Sequence, residues 1–209
     1  MASTKPAAHN EDAAGDTGRP PLVVQLRPVL ELTEEQFFAF SQLNRDLRME
    51  RNARGDLIIM PPTGGETGEQ NAEIAMQLRL WAKRDGTGTT FDSSGGFHLP
   101  NDAIRSPDAA WVSHSRLAAL TAEQRKAFIP LCPDCVIELR SPTDSLAVVQ
   151  DKMDEYIANG AQLAWLLDAV AKRVYVYRPQ APVQRLDDPD TIPGDPVLPG
   201  FALDLRAVW

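Results

Sequence analysis

Apolar positions recur along this chain with two periods, one near 3.6 residues and one of two, and the mixture predicts an α/β architecture. Thr33 can cap a helix, with Gln36 three residues on and Phe37 and Phe40 following on one face. Two short runs flank Asn52-Ala53-Arg54-Gly55, the pattern of a β-hairpin in which Gly55 supplies the positive φ. Thr63 to Gly68 reads as a loop that opens a helix of about sixteen residues by its hydrophobic period. Asn71, Ile74, Leu78 and Trp81 form the inward stripe of that helix, and the run from Asp85 to Gly88 stops it. Strands are expected at 89–92, 96–99 and 109–113, then a short helix at 121–127 capped by Thr121.

Cys135 to Arg140 is the most strand-like apolar run and reads as a central strand. A helix follows over 145–159, ended by Gly160. Strands at 163–167 and 173–177 come next, joined by a turn over 168–172. The remainder is Pro-rich and closes on Leu203 to Trp209. Together these elements describe a mixed sheet with helices packed on it. Residues 1–21 hold little that could be buried and read as a flexible tail ahead of one domain over 22–209.

Composition narrows the class. The 209 residues are 43% hydrophobic and 24% charged, which suits a globular chain and excludes a collagenous or disordered one. No apolar stretch is long enough to cross a membrane, and the first residues lack the apolar core of a secretory signal, so no membrane partner is expected. The two cysteines, Cys132 and Cys135, fit a reducing cytoplasm rather than a disulfide scaffold. Their Cys-x-x-Cys spacing has no second pair and no histidine at ligand spacing, so small-hydrophobe packing is favoured over a zinc or redox role. The net charge of −8 argues against broad electrostatic binding.

Candidate chemistry gathers at two strands. Pro107-Asp108 puts an acid at the start of one strand, and Glu138-Leu139-Arg140 lies inside the central one. Alternation turns Glu138 and Arg140 to one face and Leu139 to the other. A carboxylate in a buried strand needs a partner or a cation, and two carboxylates together suit Mg²⁺. On this reading Asp108 and Glu138 hold the metal, the Leu139 carbonyl is a further oxygen, and Arg140 steadies a phosphate as a cation. Lys152, four residues from Val148 and four from Tyr156, belongs to the apolar stripe of the next helix and is the second cation candidate. The structural alternatives are a Pro-Asp turn, a Glu138–Arg140 ion pair, and a Lys152 that snorkels to water. Asp134 stands four residues from Glu138, about 13 Å along a strand, too far to share its ion. Gly64 to Gly68 lacks the Lys-Ser/Thr of a phosphate loop, so no nucleotide cofactor is expected.

Pro107-Asp108 with Glu138-x-Arg140 resembles a variant of the PD-(D/E)XK nuclease signature. The segments PDCVIELRSPTDSL, DKMDEYIANGAQLAWLLD and VYVYRP, with MPPTGGETG before and LPGFALDL after, resemble the Uma-two family of restriction-endonuclease-like proteins over Leu30 to Trp209. The resemblance implies a restriction-endonuclease-like fold and a homodimer-prone, metal-dependent nuclease domain. It carries the metal roles to Asp108 and Glu138 and the cation role to Arg140 or Lys152, since Arg140 replaces the lysine of the general signature. It also draws attention to Asn71 on the first core helix and, behind it, to Glu69 and Glu73.

Two functions follow as expectations. One is a Mg²⁺-dependent endonuclease, with Mn²⁺ as a substitute, acting on DNA through a local basic rim drawn from Arg48, Arg51, Arg54, Arg79, Lys83, Arg84, Arg105 and Arg116. The other is a non-catalytic dimerising module that keeps the fold and binds a protein or nucleic acid. A redox role for Cys132 and Cys135 is the third and faintest.

Overall fold

The computed structural model describes residues 20–209; most of the expected N-terminal tail lies outside the described residues. The chain runs β1 (Leu22–Val24), α1 (Glu34–Leu43), β2 (Arg48–Arg51), β3 (Leu57–Met60), α2 (Gly65–Asp85), β4 (Gly88–Asp92), β5 (Phe97–His98), β6 (Ile104–Arg105), β7 (Ala109–Ser113) and α3 (His114–Ala118). It continues through β8 (Cys135–Arg140), α4 (Leu146–Ala158), β9 (Leu163–Asp168), β10 (Arg173–Tyr177), β11 (Gln184–Asp187), β12 (Thr191–Pro193) and β13 (Ala202–Asp204).

The strands form three sheets rather than one. A six-stranded sheet has the order β11-β10-β9-β8-β7-β4, a five-stranded sheet the order β1-β3-β2-β6-β5, and β12 pairs with β13. In the large sheet β8 and β9 are parallel and every other pairing is antiparallel. The parallel pair needs a crossover, which α4 supplies. Cys135 to Arg140 is thereby central, flanked by β7 and β9.

Alternation splits the large sheet cleanly. Ala109, Trp111, Cys135, Ile137, Leu139, Leu163, Trp165 and Leu167 face α2 and the C-terminal segment, where Ile74, Leu78, Trp81, Phe201, Leu203 and Leu205 meet them. Ala110, Val136, Ala164, Leu166 and Tyr175 face Met153 and Tyr156 of α4. Both faces of the sheet are covered, as a near-continuous apolar strand such as β8 requires. Each fully buried Leu or Ile contributes about 1.5–3 kcal/mol. The small sheet puts Met49, Leu57 and Ile104 against Phe37 of α1 and turns its other face toward α4.

Several local expectations change. α2 begins at Gly65, so most of the glycine-rich stretch is helix and not loop; the burial of Thr67 in its first turns holds it there. Thr33 and Gln36 do form a reciprocal capping box, and Phe37 is buried, but Phe40 is left exposed. Thr121 exchanges the same bonds with Gln124, yet only a three-residue 3₁₀ turn follows. The helix of that region is the short α3, directly after β7. Phe97–His98 belongs to the small sheet, and β1, β6, β11, β12 and β13 lie outside the expected strands. Gly55, at φ +88°, sits at the hairpin turn as expected.

Candidate active site

Asp108 immediately precedes β7, and β7 pairs with β8 so that Ala109 stands beside Ile137. One residue back along that antiparallel register, Asp108 and Glu138 are cross-strand neighbours. Ala109 and Ile137 face α2, so both acids face the other way, toward α4 and the small sheet. Both are more than nine-tenths buried. Asp108 accepts the Leu139 N–H on Oδ2 at 2.9 Å and Arg48 Nη2 on Oδ1 at 3.2 Å.

Lys152 reaches this pair from α4. Its Nζ lies 2.7 Å from Glu138 Oε1 and 2.9 Å from Glu50 Oε1. It is only 15% exposed, so it does not snorkel to water. Tyr156, one turn on, donates its hydroxyl to the same Glu138 Oε1 at 2.9 Å. Arg105 pairs with Glu50 Oε2 at 3.0 Å and with Glu155 at 2.6 Å, and the Ser106 N–H donates to Glu50 Oε1. Arg48 spans from the Ser106 carbonyl to Asp108.

These contacts set the charges. Burial pushes Glu138 up to about 7, aided by the neighbouring Asp108 and Glu50 and opposed by Lys152. Burial acts on Glu50 too, but Lys152, Arg105 and the Ser106 N–H outweigh it and hold that carboxyl at about 2. Burial favours the neutral amine at Lys152, and Glu138 with Glu50 overcome it, so the ammonium is held above its ordinary range. Lys152 is a fixed cation and Glu138 is the poorly compensated anion of the cluster.

The structure brings Asp108, Glu138 and Lys152 together and turns Arg140 away. Arg140 shares the face of Glu138, but its Nη1 takes both oxygens of Asp168 at 2.9–3.0 Å and its Nε donates to the Asp144 carbonyl. Neither the catalytic-cation role expected of Arg140 nor the alternative Glu138–Arg140 ion pair is formed, because the adjacent strand offers Arg140 a buried acid at its own register, Arg140 beside Asp168. Leu139 is among the residues lining the cleft, its N–H donates to Asp108, and its side chain packs in the α2 core. Asp134 serves the far end of β7, accepting Ser113 N–H and Arg116.

Glu50 was missed as a site residue, and Arg48 and Arg105 were expected only in a surface rim. Arg-Met-Glu-Arg in β2 alternates, with Met49 toward α1 and Arg48 and Glu50 on the opposite face. That alternation was the available signal; what lay beyond it was that this face meets α4. The remaining rim does not assemble. Arg51 is buried and donates to the Leu32 and Asp102 carbonyls, Arg116 pairs with Asp134, and Arg79, Lys83 and Arg84 ride on α2 outside the cleft. Both cysteines are buried, which pushes the Cys132 thiol up to about 12 and raises Cys135 as well, so neither is a poised nucleophile.

The acids line a cleft of about 860 Å³ between the small sheet and α4. Among the described residues its wall carries six carboxylates (Glu50, Asp108, Glu138, Asp144, Asp151, Glu155) and four cations (Arg48, Arg54, Arg105, Lys152). Lys152 and Tyr156 both bind Oε1 of Glu138, so neither engages Oε2. Asn71 also lines the cleft, and its Oδ1 is buried without a partner. An all-oxygen donor set of two carboxylates and a main-chain carbonyl fits a hard cation that keeps several waters, such as Mg²⁺. Among the described residues no group of three or more His, Cys, Asp or Glu side chains could hold a metal alone.

A family model, Uma2, described as "Putative restriction endonuclease", matches residues 34–206. Among solved structures, the chain is similar to one described as a putative nuclease belonging to DUF820 from Anabaena variabilis. The TM-score is 0.66 at 23% identity, covering 77% of this chain and 88% of that one. That likeness speaks for the fold. No curated protein matches the chain.

Proposed function

Because the chain belongs to the Uma2 family of restriction-endonuclease-like proteins, we propose that it hydrolyses phosphodiester bonds in nucleic acid, with DNA as the expected substrate and Mg²⁺ or Mn²⁺ as the metal. The observation that carries this reading is the buried acid pair Asp108 and Glu138 with the Lys152 ammonium 2.7 Å from Glu138. Asp108 and Glu138 would hold the ion, with the Leu139 carbonyl as a third oxygen. Such an ion polarises a phosphoryl oxygen and lowers the pKa of a bound water.

The rest falls to the chain's own side chains. Lys152 supplies a fixed positive charge beside the metal acids, suited to a phosphate oxygen or to orienting the attacking water. Glu50 holds Lys152 in place, and Arg105 and the Ser106 N–H hold Glu50. Tyr156 fixes the rotamer of Glu138 from the buried side. Arg140 is assigned to structure, through Asp168. The two buried free thiols suit a cytoplasmic setting.

The test is nicking of supercoiled plasmid in Mg²⁺ and in Mn²⁺, with Asp108→Asn and Glu138→Gln as controls checked for folding by circular dichroism. Loss of cleavage in both folded variants is expected; undiminished cleavage in either removes the proposed site. The second reading, a non-catalytic dimerising module, draws on the lack of a third acidic ligand among the described residues. It predicts nucleic-acid or protein binding with no cleavage under either metal. Sedimentation analysis tests the homodimer that both readings accommodate.

A further inference from the structure

The helix α2 buries one side and displays the other. Ile74, Leu78 and Trp81 pack on the large sheet. Met76 points the opposite way, about 140–160° round the helix from those three at 3.6 residues per turn. Met76 is 47% and Leu80 53% exposed, and Ala72 beside them is exposed as well. An apolar row therefore runs along the outer side for about two turns.

Charge brackets that row. Glu66 and Glu69 stand before it, Lys83 and Arg84 after it, and all four are exposed. Among the described residues none of the four is in an ion pair. The macrodipole favours acids first and bases last on any helix, but it gives no reason for an exposed apolar row between them.

The spacing gives one, because the row and its charges are symmetric about Met76. Ala72 and Leu80 lie four residues either side of it, and Glu69 and Lys83 seven. Seven residues are nearly two whole turns, so Glu69 and Lys83 stay within about 20° of Met76 round the helix. A second α2 laid antiparallel on the first, with a two-fold axis at Met76, brings Glu69 level with the partner's Lys83. Ala72 comes level with the partner's Leu80, small against large, and Met76 meets its own copy. On the flank Glu66 falls two residues from level with the partner's Arg84. A parallel pairing would instead set acid against acid and base against base. Near-antiparallel helices crossing at about 20° stay in contact over several turns, as this register needs.

We propose that this face of α2 is an isologous interface whose partner is a second copy of the chain, paired antiparallel about Met76. The proposal goes beyond the nuclease reading and does not rest on it, since α2 and α4 cover opposite faces of the large sheet and the acid pair lies on the α4 side. One helix pair is smaller than a standard interface of about 800 Å² per partner, so a dissociation constant in the micromolar range is expected.

Sedimentation equilibrium of the full chain from about 1 to about 500 μM tests this, and monomer–dimer exchange is expected across that range. Met76→Asp, which sets two like charges on the axis, is expected to stay monomeric throughout. Glu69→Lys and Lys83→Glu are each expected to weaken the dimer about tenfold, and the two together to restore it. Met76→Cys is expected to form a disulfide-linked dimer under mild oxidation, whereas Val170→Cys, exposed in the turn after β9, is not; Cys132 and Cys135 are buried and do not compete. A chain that is monomeric at the highest concentration, a dimer of wild-type strength in Met76→Asp, no cross-link through Met76→Cys, or a double charge exchange that restores nothing would overturn the proposal. None of these readouts involves cleavage, so the nuclease reading fails or survives separately.

Discussion

Glu138 is the residue whose ionisation the fold opposes most usefully. Its folded-state value near 7 lies above the ordinary 4.5, so between those values the folded state holds a proton that the unfolded state has lost. Stability contributed at this position therefore falls as pH rises through that window and stays low above about 7. Glu138→Gln is expected to stabilise the metal-free protein at pH 8 by on the order of 1–3 kcal/mol and to give no gain at pH 4, read by thermal melts. The same proton competes with a metal, so Mg²⁺ affinity should rise with pH up to about 7. Lys152→Ala is expected to lower cleavage by on the order of 10²-fold or more. Arg140→Ala should retain most activity while losing about 2–4 kcal/mol of stability, because Asp168 is left buried and unpaired. Equal loss of activity in the Lys152 and Arg140 variants would refute that division. Strand alternation and helix spacing are local rules that gave Glu138 and Lys152 their faces, and the resemblance to the nuclease signature implied their convergence with Asp108. Neither separated Arg140 from the site, since the deciding partner, Asp168, is supplied by a neighbouring strand 28 residues away.

Elements were legible where one period dominates. β7, β8 and β10 match their expected bounds, and α4 differs only at its ends, because apolar runs and helix stripes that face a core leave little ambiguity. The start of α2 was obscured by glycine, whose low helix propensity of about 1 kcal/mol per residue is a weak prior against packing. The short strands of the small sheet carry two to four residues each and so show almost no period. One glycine acts through space rather than φ. A Cβ on Gly88 would lie 2.3 Å from the Trp111 ring, which packs against Trp81 beneath the sheet. Gly88→Ala is expected to cost about 1–3 kcal/mol through overpacking, measured by urea denaturation. A melt within error of wild type would show that Trp111 has room to move.

At the scale of the molecule, the buried acids of the cleft link site to stability. Asp108 and Glu138 are the acids placed to hold an ion, so Mg²⁺ should raise the melting temperature at pH 8, following the logarithm of its concentration over Kd. Asp108→Asn should abolish the rise, and a rise that survives this change would locate the ion elsewhere. Glu50 works in the opposite sense to Glu138. Its depressed value of about 2 means that its stabilising pairs with Lys152 and Arg105 are intact above 4.5 and lost progressively below it. Joined with the relief of Glu138 on protonation, this places greatest metal-free stability in mildly acid solution. The fold class was readable from the alternation of periods. The facing of the small sheet onto α4, and with it the place of Glu50, was not, because contacts between distant segments leave no local pattern.

The separation of 102 positions between Glu50 and Lys152 gives that ion pair a temporal meaning. A chain emerging from the ribosome exposes Glu50, then Asp108, then Glu138, and lacks the ammonium that answers them until α4 follows. Arg105 already answers Glu50 and Arg48 answers Asp108 by then, so Glu138 is the acid whose charged partner waits for α4. The ion-pair network of the cleft is therefore completed only when α4 brings Lys152 to Glu138 and Glu50.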